Sequence, residues 1–381
     1  LAGLLNVSAL TVRNIESATK RPGRDLLFRL LAIPELNLTI SDLTGDENKP
    51  RLIPTSWLAP QYDPHKMLVE MAAKLNGSGD TLEQTTAYLD SRSAADWLSI
   101  SLSPNFLAIY NNPIPLKEAA EIVTTAIGRG MLDIYALGSG DGRRETAFAQ
   151  YCADRVSSPA HLRMNLLDIS HTILMEGYNY TKQHLGKLGA TVLAMHGNFH
   201  DLSRYPLFEK HKKGNAVRVF TMLGNTLANL DNEVRFFRDT LSGCLAGDYF
   251  LADFTVVHAA SDNPEEIRRK DPVLQSPVPA ARANWLGGPL RRHCKDVRDV
   301  EFSVELDTNC TIRGSYEVLY VAKASMTCGR PDKRFVMGRC KSYEPSKLTE
   351  CLADLGWKCE ALTPYAGNER NKIMLMLLRK Q

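Results

Sequence analysis

From Leu132 onward, apolar runs and helical stripes alternate regularly. Runs at 132–137, 163–169, 190–195, 217–223 and 248–256 read as buried strands, and the segments 144–155, 171–186 and 231–242 carry helical patterns. Short strands alternating with helices imply a parallel sheet covered on both faces. Right-handed crossovers then put the loops after each strand along one edge. Ahead of this region, His65 to Leu75, Thr81 to Leu89 and Leu116 to Ile127 read as helices. The stretch from Ser101 to Pro115 reads as irregular, because Asn111, Asn112, Pro113 and Pro115 break its periodicity. Behind it, Pro264, Pro272, Pro277, Pro279 and Pro289 mark 258–298 as a helical or irregular insertion. Val300 to Leu306, Thr311 to Ala322, Arg334 to Arg339 and Lys372 to Leu378 read as strands, and Pro345 to Leu355 as an amphipathic helix closed by Gly356.

The chemistry concentrates at the head of the alternating region. The stretch LDIYALGSGDG, Leu132 to Gly142, is a strand followed at once by a glycine turn and a helix. Glycines let a backbone turn tightly and approach a ligand, and the helix start behind them offers free N–H groups. The next strand, in MNLLDIS, ends in Asp168 followed by Ile169. An acid at that place suits both ribose hydroxyls of an adenosine cofactor; it also suits a cap for the helix that begins near His171.

The bulk composition changes this picture little. The chain has 381 residues, 44% of them apolar and 23% charged, with a net charge of +3. That describes an ordinary globular protein of two or three domains, whose nucleic-acid surface, if any, must be local. No run approaches the length of a transmembrane helix, and no signal-peptide pattern opens the sequence. Eight cysteines without a CxxC pair argue against structural zinc and suit reduced thiols, so a cytoplasmic protein is expected. His196 and His200 flank Gly197 and Asn198, a turn rather than a metal-binding helix, and no metal is assigned. The first residue is Leu1, not Met, so a preceding N-terminal piece is expected.

Leu1 to Leu31 holds a short helix end, a turn at Asn6 and Val7, and a second helix that Ser8 can cap. This segment resembles the DNA-binding domain of the phage-repressor-like (XRE) transcriptional regulators, without that domain's first helix. The resemblance implies that Ser8, Thr11, Arg13 and Asn14 face DNA, in a homodimer on paired half-sites. A small protein-binding module is the other reading of the same helices.

Three further stretches fall on the sheet edge: MHGNFHDL, FTMLGNTLANL and GDYFLADF. With LDIYALGSGDG and MNLLDIS, they resemble the Rossmann-like, class I S-adenosylmethionine (SAM)-dependent methyltransferases. The closer likeness is to the histidine-specific Nα-methyltransferases of the ergothioneine pathway. It covers about residues 60–381 and includes a lysine–tyrosine pair before a late helix, here Lys341 and Tyr343. The resemblance implies that Gly138, Ser139 and Gly140 support the methionine end of SAM, and that Asp168 and its neighbour Ile169 hold the ribose. Asn198 and Phe199 would sit at adenine, Leu223, Gly224 and Asn225 at the reacting centre, and Asn229 at the acceptor. An amine must be neutral when it attacks, and Tyr110 and Asp253 are candidates to help, Asp253 being equally a structural group. Ala136 and Asn198 replace family acids, and Gly338 and Cys340 stand where the family reads imidazole, so histidine is not the expected acceptor.

The expected fold is therefore an α/β Rossmann-like methyltransferase sheet with a mixed α+β C-terminal subdomain, preceded by a small all-α helix-turn-helix domain. The expected divisions are 1–45 for that domain, 46–60 a linker, 61–130 a helical lead-in over the site, 131–257 the SAM-binding core, and 258–381 an insertion and substrate subdomain completing the sheet. Two functions are open: a methyltransferase of a small amine or amino-acid-like substrate with an appended DNA-binding domain, or a DNA-binding regulator whose methyltransferase-like domain senses SAM.

Overall fold

The computed structural model describes residues 56–58, 62–77, 80–89, 91–128, 130–156, 158, 161–205, 216–259, 261–327, 331–365 and 372–381. The expected helix-turn-helix segment, with Ser8, Thr11, Arg13 and Asn14, lies outside them, as does most of the expected linker.

A short strand, β1 (Ser56–Leu58), comes first, followed by helices α1 (Pro64–Asn76), α2 (Ser91–Ser101), α3 (Pro104–Ile109) and α4 (Ile114–Ile127). The alternating region then supplies β2 (Met131–Leu137), α5 (Arg143–Ala153), β3 (Leu162–Asp168), α6 (His171–Leu185), β4 (Thr191–His196), β5 (Ala216–Met222) and β6 (Tyr249–Val256). Two helices, α7 (Pro264–Lys270) and α8 (Ala280–His293), lead to β7 (Val297–Asp307), β8 (Tyr316–Met326) and β9 (Lys333–Tyr343). The chain closes with α9 (Pro345–Asp354), β10 (Trp357–Pro364) and β11 (Ile373–Lys380).

The strands β4, β3, β2, β5 and β6 lie side by side in that order, all parallel. Sequence order therefore reverses between β2 and β5, the Rossmann-like arrangement whose crevice at the strand ends receives ligands. Beyond β6 the sheet forks. Residues Tyr249 to Thr255 pair with antiparallel β11, which in turn pairs with β10. Thr255 and Val256 pair instead with the end of β9, which carries the antiparallel ribbon β9-β8-β7.

The period-two geometry of a strand explains why these runs are apolar throughout. On β2, Leu132, Ile134 and Ala136 enter the apolar layer built with Phe148 and Leu174. Tyr135 and Leu137 enter the opposite layer with Phe220, Phe250 and Trp357. A third layer, with Trp285, Leu286 and Phe335, packs between α8 and the β7–β9 ribbon.

Several expectations need correction. The segment read as irregular contains α3, which Ser103 caps by accepting the Phe106 N–H at 3.3 Å. The helix expected over Thr81 to Leu89 is one 3₁₀ turn, Gln84–Tyr88. The helix expected over 231–242 is a short turn, Glu233–Arg235, running into a π turn, Phe236–Thr240. The strand expected from Thr311 begins at Tyr316. Pairing reveals β10, whose pattern half-buried on both faces carries no period of its own. Likewise Ser56–Leu58, inside the expected linker, pairs in parallel with β4. No helix among the described residues is long and apolar enough to cross a membrane.

Candidate functional site

At the carboxyl ends of β2, β3, β4 and β5 lies a cleft of about 600 Å³. Its deepest wall is the glycine turn. Gly138 and Ser139 both donate their N–H to the Leu167 carbonyl, at 2.8 and 3.1 Å, folding the turn over the end of β3. Gly138 and Gly140 have φ of 68° and 55°, the left-handed region that only glycine adopts freely. Helix α6 supports the turn from below through Gly177. A Cβ at Gly177 would lie 2.7 Å from the Gly140 carbonyl oxygen.

Asp168 closes the next strand. One carboxylate oxygen accepts the Gly140 N–H at 3.0 Å and the other the Ser170 N–H at 2.8 Å. Burial nonetheless raises its pKa to about 6, since those bonds offset only part of the desolvation. Its neighbour Ile169 is fixed through its carbonyl, which accepts the Tyr62 hydroxyl at 2.6 Å and lies 2.9 Å from His196 Nε2. After β4, Asn198 caps a 3₁₀ turn by accepting the His200 N–H at 3.0 Å. Its carbonyl receives the Tyr205 hydroxyl at 2.5 Å. Phe199 follows on the cleft wall.

The loop after β5 completes the floor. Gly224 and Asn225 both have positive φ, 84° and 65°. Asp253 on β6 holds them, accepting the Gly224 N–H at 3.2 Å and the Asn225 N–H at 2.5 Å while ion-paired with Arg144. The Asn225 side chain turns away from the cleft. Its oxygen accepts the Thr255 N–H at 3.0 Å, and its amide donates to Cys340 Sγ at 3.1 Å. Further on, the buried Lys341 Nζ donates to the Leu230 carbonyl and to Glu233, both at 2.6 Å. Tyr343 donates to the same Glu233 oxygen at 2.6 Å. This network clamps the segment that carries Asn229.

Of the residues singled out by sequence, Gly138, Gly140, Asp168, Ile169, Asn198, Phe199, Leu223, Gly224 and Asn229 line the one cleft. Ser139, Asn225, Tyr110 and Asp253 do not. Asp253 has both oxygens committed to backbone N–H groups and to Arg144, so it is a structural group, not a base. Tyr110 covers the Arg144 guanidinium at 3.7 Å from its ring centroid, and burial pushes its hydroxyl far above the usual tyrosine range. Neither is placed to accept a substrate proton. Sequence reasoning missed Gln84, Tyr88, Trp97, Asp231 and Arg339, which line the opposite wall. They come from the lead-in, the loop after Asn229 and β9, and no local pattern joins such distant segments.

The lining is acidic. Glu83, Asp168, Asp201, Asp231 and Asp239 face Arg204, Arg235 and Arg339. Each of these arginines is ion-paired with an acid of the same wall: Arg204 with Asp201 at 3.2 Å, Arg235 with Asp239 at 3.5 Å and Arg339 with Asp231 at 3.1 Å. Glu83 pairs in turn with Lys74 at 3.5 Å, so among the described residues Asp168 is the one lining carboxylate that no lysine or arginine neutralises.

No family model matches the sequence. No curated protein matches it either. Among solved structures, similar folds include an S-adenosylmethionine-dependent methyltransferase from Clostridium acetobutylicum ATCC 824, with a TM-score of 0.40, 10% identity, and coverage of 76% of this chain and 99% of that one. Another is the magnesium protoporphyrin IX methyltransferase (ChlM) from Synechocystis PCC 6803 with bound S-adenosylhomocysteine (SAH), with a TM-score of 0.40, 11% identity, and coverage of 77% and 97%. A third is the glycopeptide N-methyltransferase MtfA complexed with SAH, with a TM-score of 0.35, 14% identity, and coverage of 70% and 87%. These likenesses are distant, and the reading of this chain rests on its own topology and cleft.

Proposed function

We propose that this chain is a SAM-dependent methyltransferase whose acceptor is a small amine or amino-acid-like molecule other than histidine. One observation carries the reading. The glycine turn, the acid ending the second core strand and the loops after the third and fourth meet in a single cleft at the reversal of strand order. The cleft fits the cofactor. A Cβ at Gly140 or Gly224 would meet nothing within 4 Å, so bare backbone faces open space there, beside the carboxylate of Asp168. Gly138 and Gly140 would hold the methionine end, with Ser139 shaping their turn from beneath, Asp168 beside Ile169 the ribose, Asn198 and Phe199 the adenine. Leu223 and Gly224 would border the transferred methyl, with Asn225 fixing their loop from outside the cleft, and Asn229 would hold the acceptor.

Bound there, the sulfonium supplies an electrophilic methyl carbon and a neutral thioether leaving group. The protein's task is to hold the acceptor nitrogen in line and keep it neutral. The clamp of Lys341, Tyr343 and Glu233 fixes the Asn229 segment for the first task. For the second, the proton leaves to water at the cleft mouth, where Asp231 and Glu83 are exposed. Histidine is not the acceptor we expect, because at the two positions where the family resemblance places imidazole contacts Gly338 has no side chain and the Cys340 sulfur accepts from Asn225.

A second reading, a regulator that senses SAM, is favoured by the absence of Tyr110 and Asp253 from the cleft. On the sequence alone, we assign residues 1–45 to reading DNA as a homodimer. Calorimetry with SAH tests both readings together: tight binding is expected, and none at millimolar SAH refutes them. Release of SAH in a small-amine panel by mass spectrometry then separates enzyme from sensor.

A further inference from the structure

The three arginines that line the cleft are not alike. Arg204 and Arg235 stand in solvent, with 67% and 78% of their side-chain surface exposed, and each pairs with an acid one turn along its own segment. Arg339, on β9, is 25% exposed and meets its acids across the fold. Both acids meet a single nitrogen. Nη1 lies 3.1 Å from Asp231 and 3.9 Å from Glu317. Nε and Nη2 make no hydrogen bond with the described residues, and neither is sealed from solvent. A guanidinium offers flat two-nitrogen edges that match a carboxylate, and here the Nε–Nη2 edge is unspent. The two acids differ as well. Asp231 keeps 74% of its side-chain surface in water, where an ion pair contributes little. Glu317 is 8% exposed and does not line the cleft, so it anchors the guanidinium from within the ribbon.

Three contacts put Arg339 at the acceptor end of the cleft. Cys340, the next residue, accepts from the Asn225 amide at 3.1 Å, which ties this part of β9 to the loop of Leu223 and Gly224. Asp231 follows Asn229 by two residues, in the segment that Lys341 clamps through the Leu230 carbonyl. The Arg339 backbone N–H donates to Gln84 Oε1 at 3.0 Å, which fixes the Gln84–Tyr88 turn beside it. That turn carries an aromatic surface into the same cleft. Tyr88 and Trp97 both line it, edge to face with ring centroids 5.6 Å apart.

We propose that the Nε–Nη2 edge of Arg339 binds a carboxylate of the methyl acceptor, whose apolar or aromatic body lies against Tyr88 and Trp97. The acceptor then carries an acid as well as its amine. Asp231, mostly in water already, gives way as the carboxylate enters. The proposal deepens the methyltransferase reading and rests on it for the amine, but the carboxylate site can be tested without turnover.

The experiment uses the full chain and two probes, L-phenylalanine and L-phenylalaninol, which share their ring and amine and differ in the carboxylate. Both are titrated by calorimetry with and without saturating SAH. The expected result is at least about tenfold tighter binding of the acid. Arg339→Gln abolishes that preference while still binding SAH. Arg339→Lys keeps a charge beside Glu317 but not the flat fork, and retains only part of the preference. A merely structural role would weaken both probes alike. Equal affinity of the two probes for the wild-type chain, including no detectable binding of either at millimolar concentration, overturns the proposal. So does an unchanged preference in Arg339→Gln. The wild-type comparison and Arg339→Lys decide if that variant does not fold. SAH binding without the preference refutes the Arg339 site alone, and the preference without SAH binding refutes the methyltransferase reading alone.

Discussion

At the scale of single residues, two buried charges decide the behaviour of the site. Asp168 is held by two N–H donors yet titrates at about 6 because it is out of water. Only the ionised form accepts hydrogen bonds on both oxygens. SAH affinity is therefore expected to fall as the pH drops through about 6. Asp168→Ala should weaken binding by about 1.5–3 kcal/mol, the range for a hydrogen bond to a charged group, and lose that pH dependence. Calorimetry from pH 5 to 8 checks both, and an unaltered affinity in the variant removes Asp168 from the ribose. Lys341 is the second case. Its partner Glu233 has no exposed side-chain surface, so Lys341→Met leaves a buried carboxylate with only Tyr343. The expected loss is about 3–5 kcal/mol in urea unfolding, and a loss under about 1 kcal/mol would mean that water replaces the ammonium.

At the scale of elements, the cleft depends on how closely α6 approaches the glycine turn. The atom facing a Cβ at Gly177 is backbone, the Gly140 carbonyl oxygen at 2.7 Å, and cannot swing aside. Gly177→Ala should lower both the melting temperature and SAH affinity, although Gly177 does not line the cleft. Gly186→Ala, at the C-cap of the same helix, is the control. Its Cβ would meet only the flexible Lys182 side chain, and its φ of −62° suits any residue. Equal behaviour of the two variants would separate the glycine turn from α6. The core strands were legible because each is a continuous apolar run between turn residues. The 3₁₀ turn at Gln84–Tyr88 and strand β10 were not. The first is a helix too short to show a period, and the second is fixed by pairing with β11.

At the scale of the whole molecule, the remaining assignment is the N-terminal segment. If it reads DNA, the full chain should bind a pseudo-palindromic site as a homodimer. Arg13→Ala should then weaken specific binding more than binding to random DNA. An anisotropy titration against genomic fragments at controlled salt measures this. Indifference to sequence would make the segment a protein-binding module.

The sequence by itself determined the α/β alternation, the glycine turn and the acid at the end of the second core strand. These are local signals: runs, periods and turn residues lying close together in the chain. Tertiary structure alone decided which groups share the cleft. The sequence left Asp253 open between proton acceptor and structural group and put Asn225 at the reacting centre; in the fold their polar atoms are spent on backbone groups, Arg144 and Cys340. Tyr88 and Trp97 carried no signal, since their meeting over Trp285 depends on α8 packing against the lead-in helices. A side chain's chemistry is set by what desolvates and pairs with it, and those neighbours are remote in the chain.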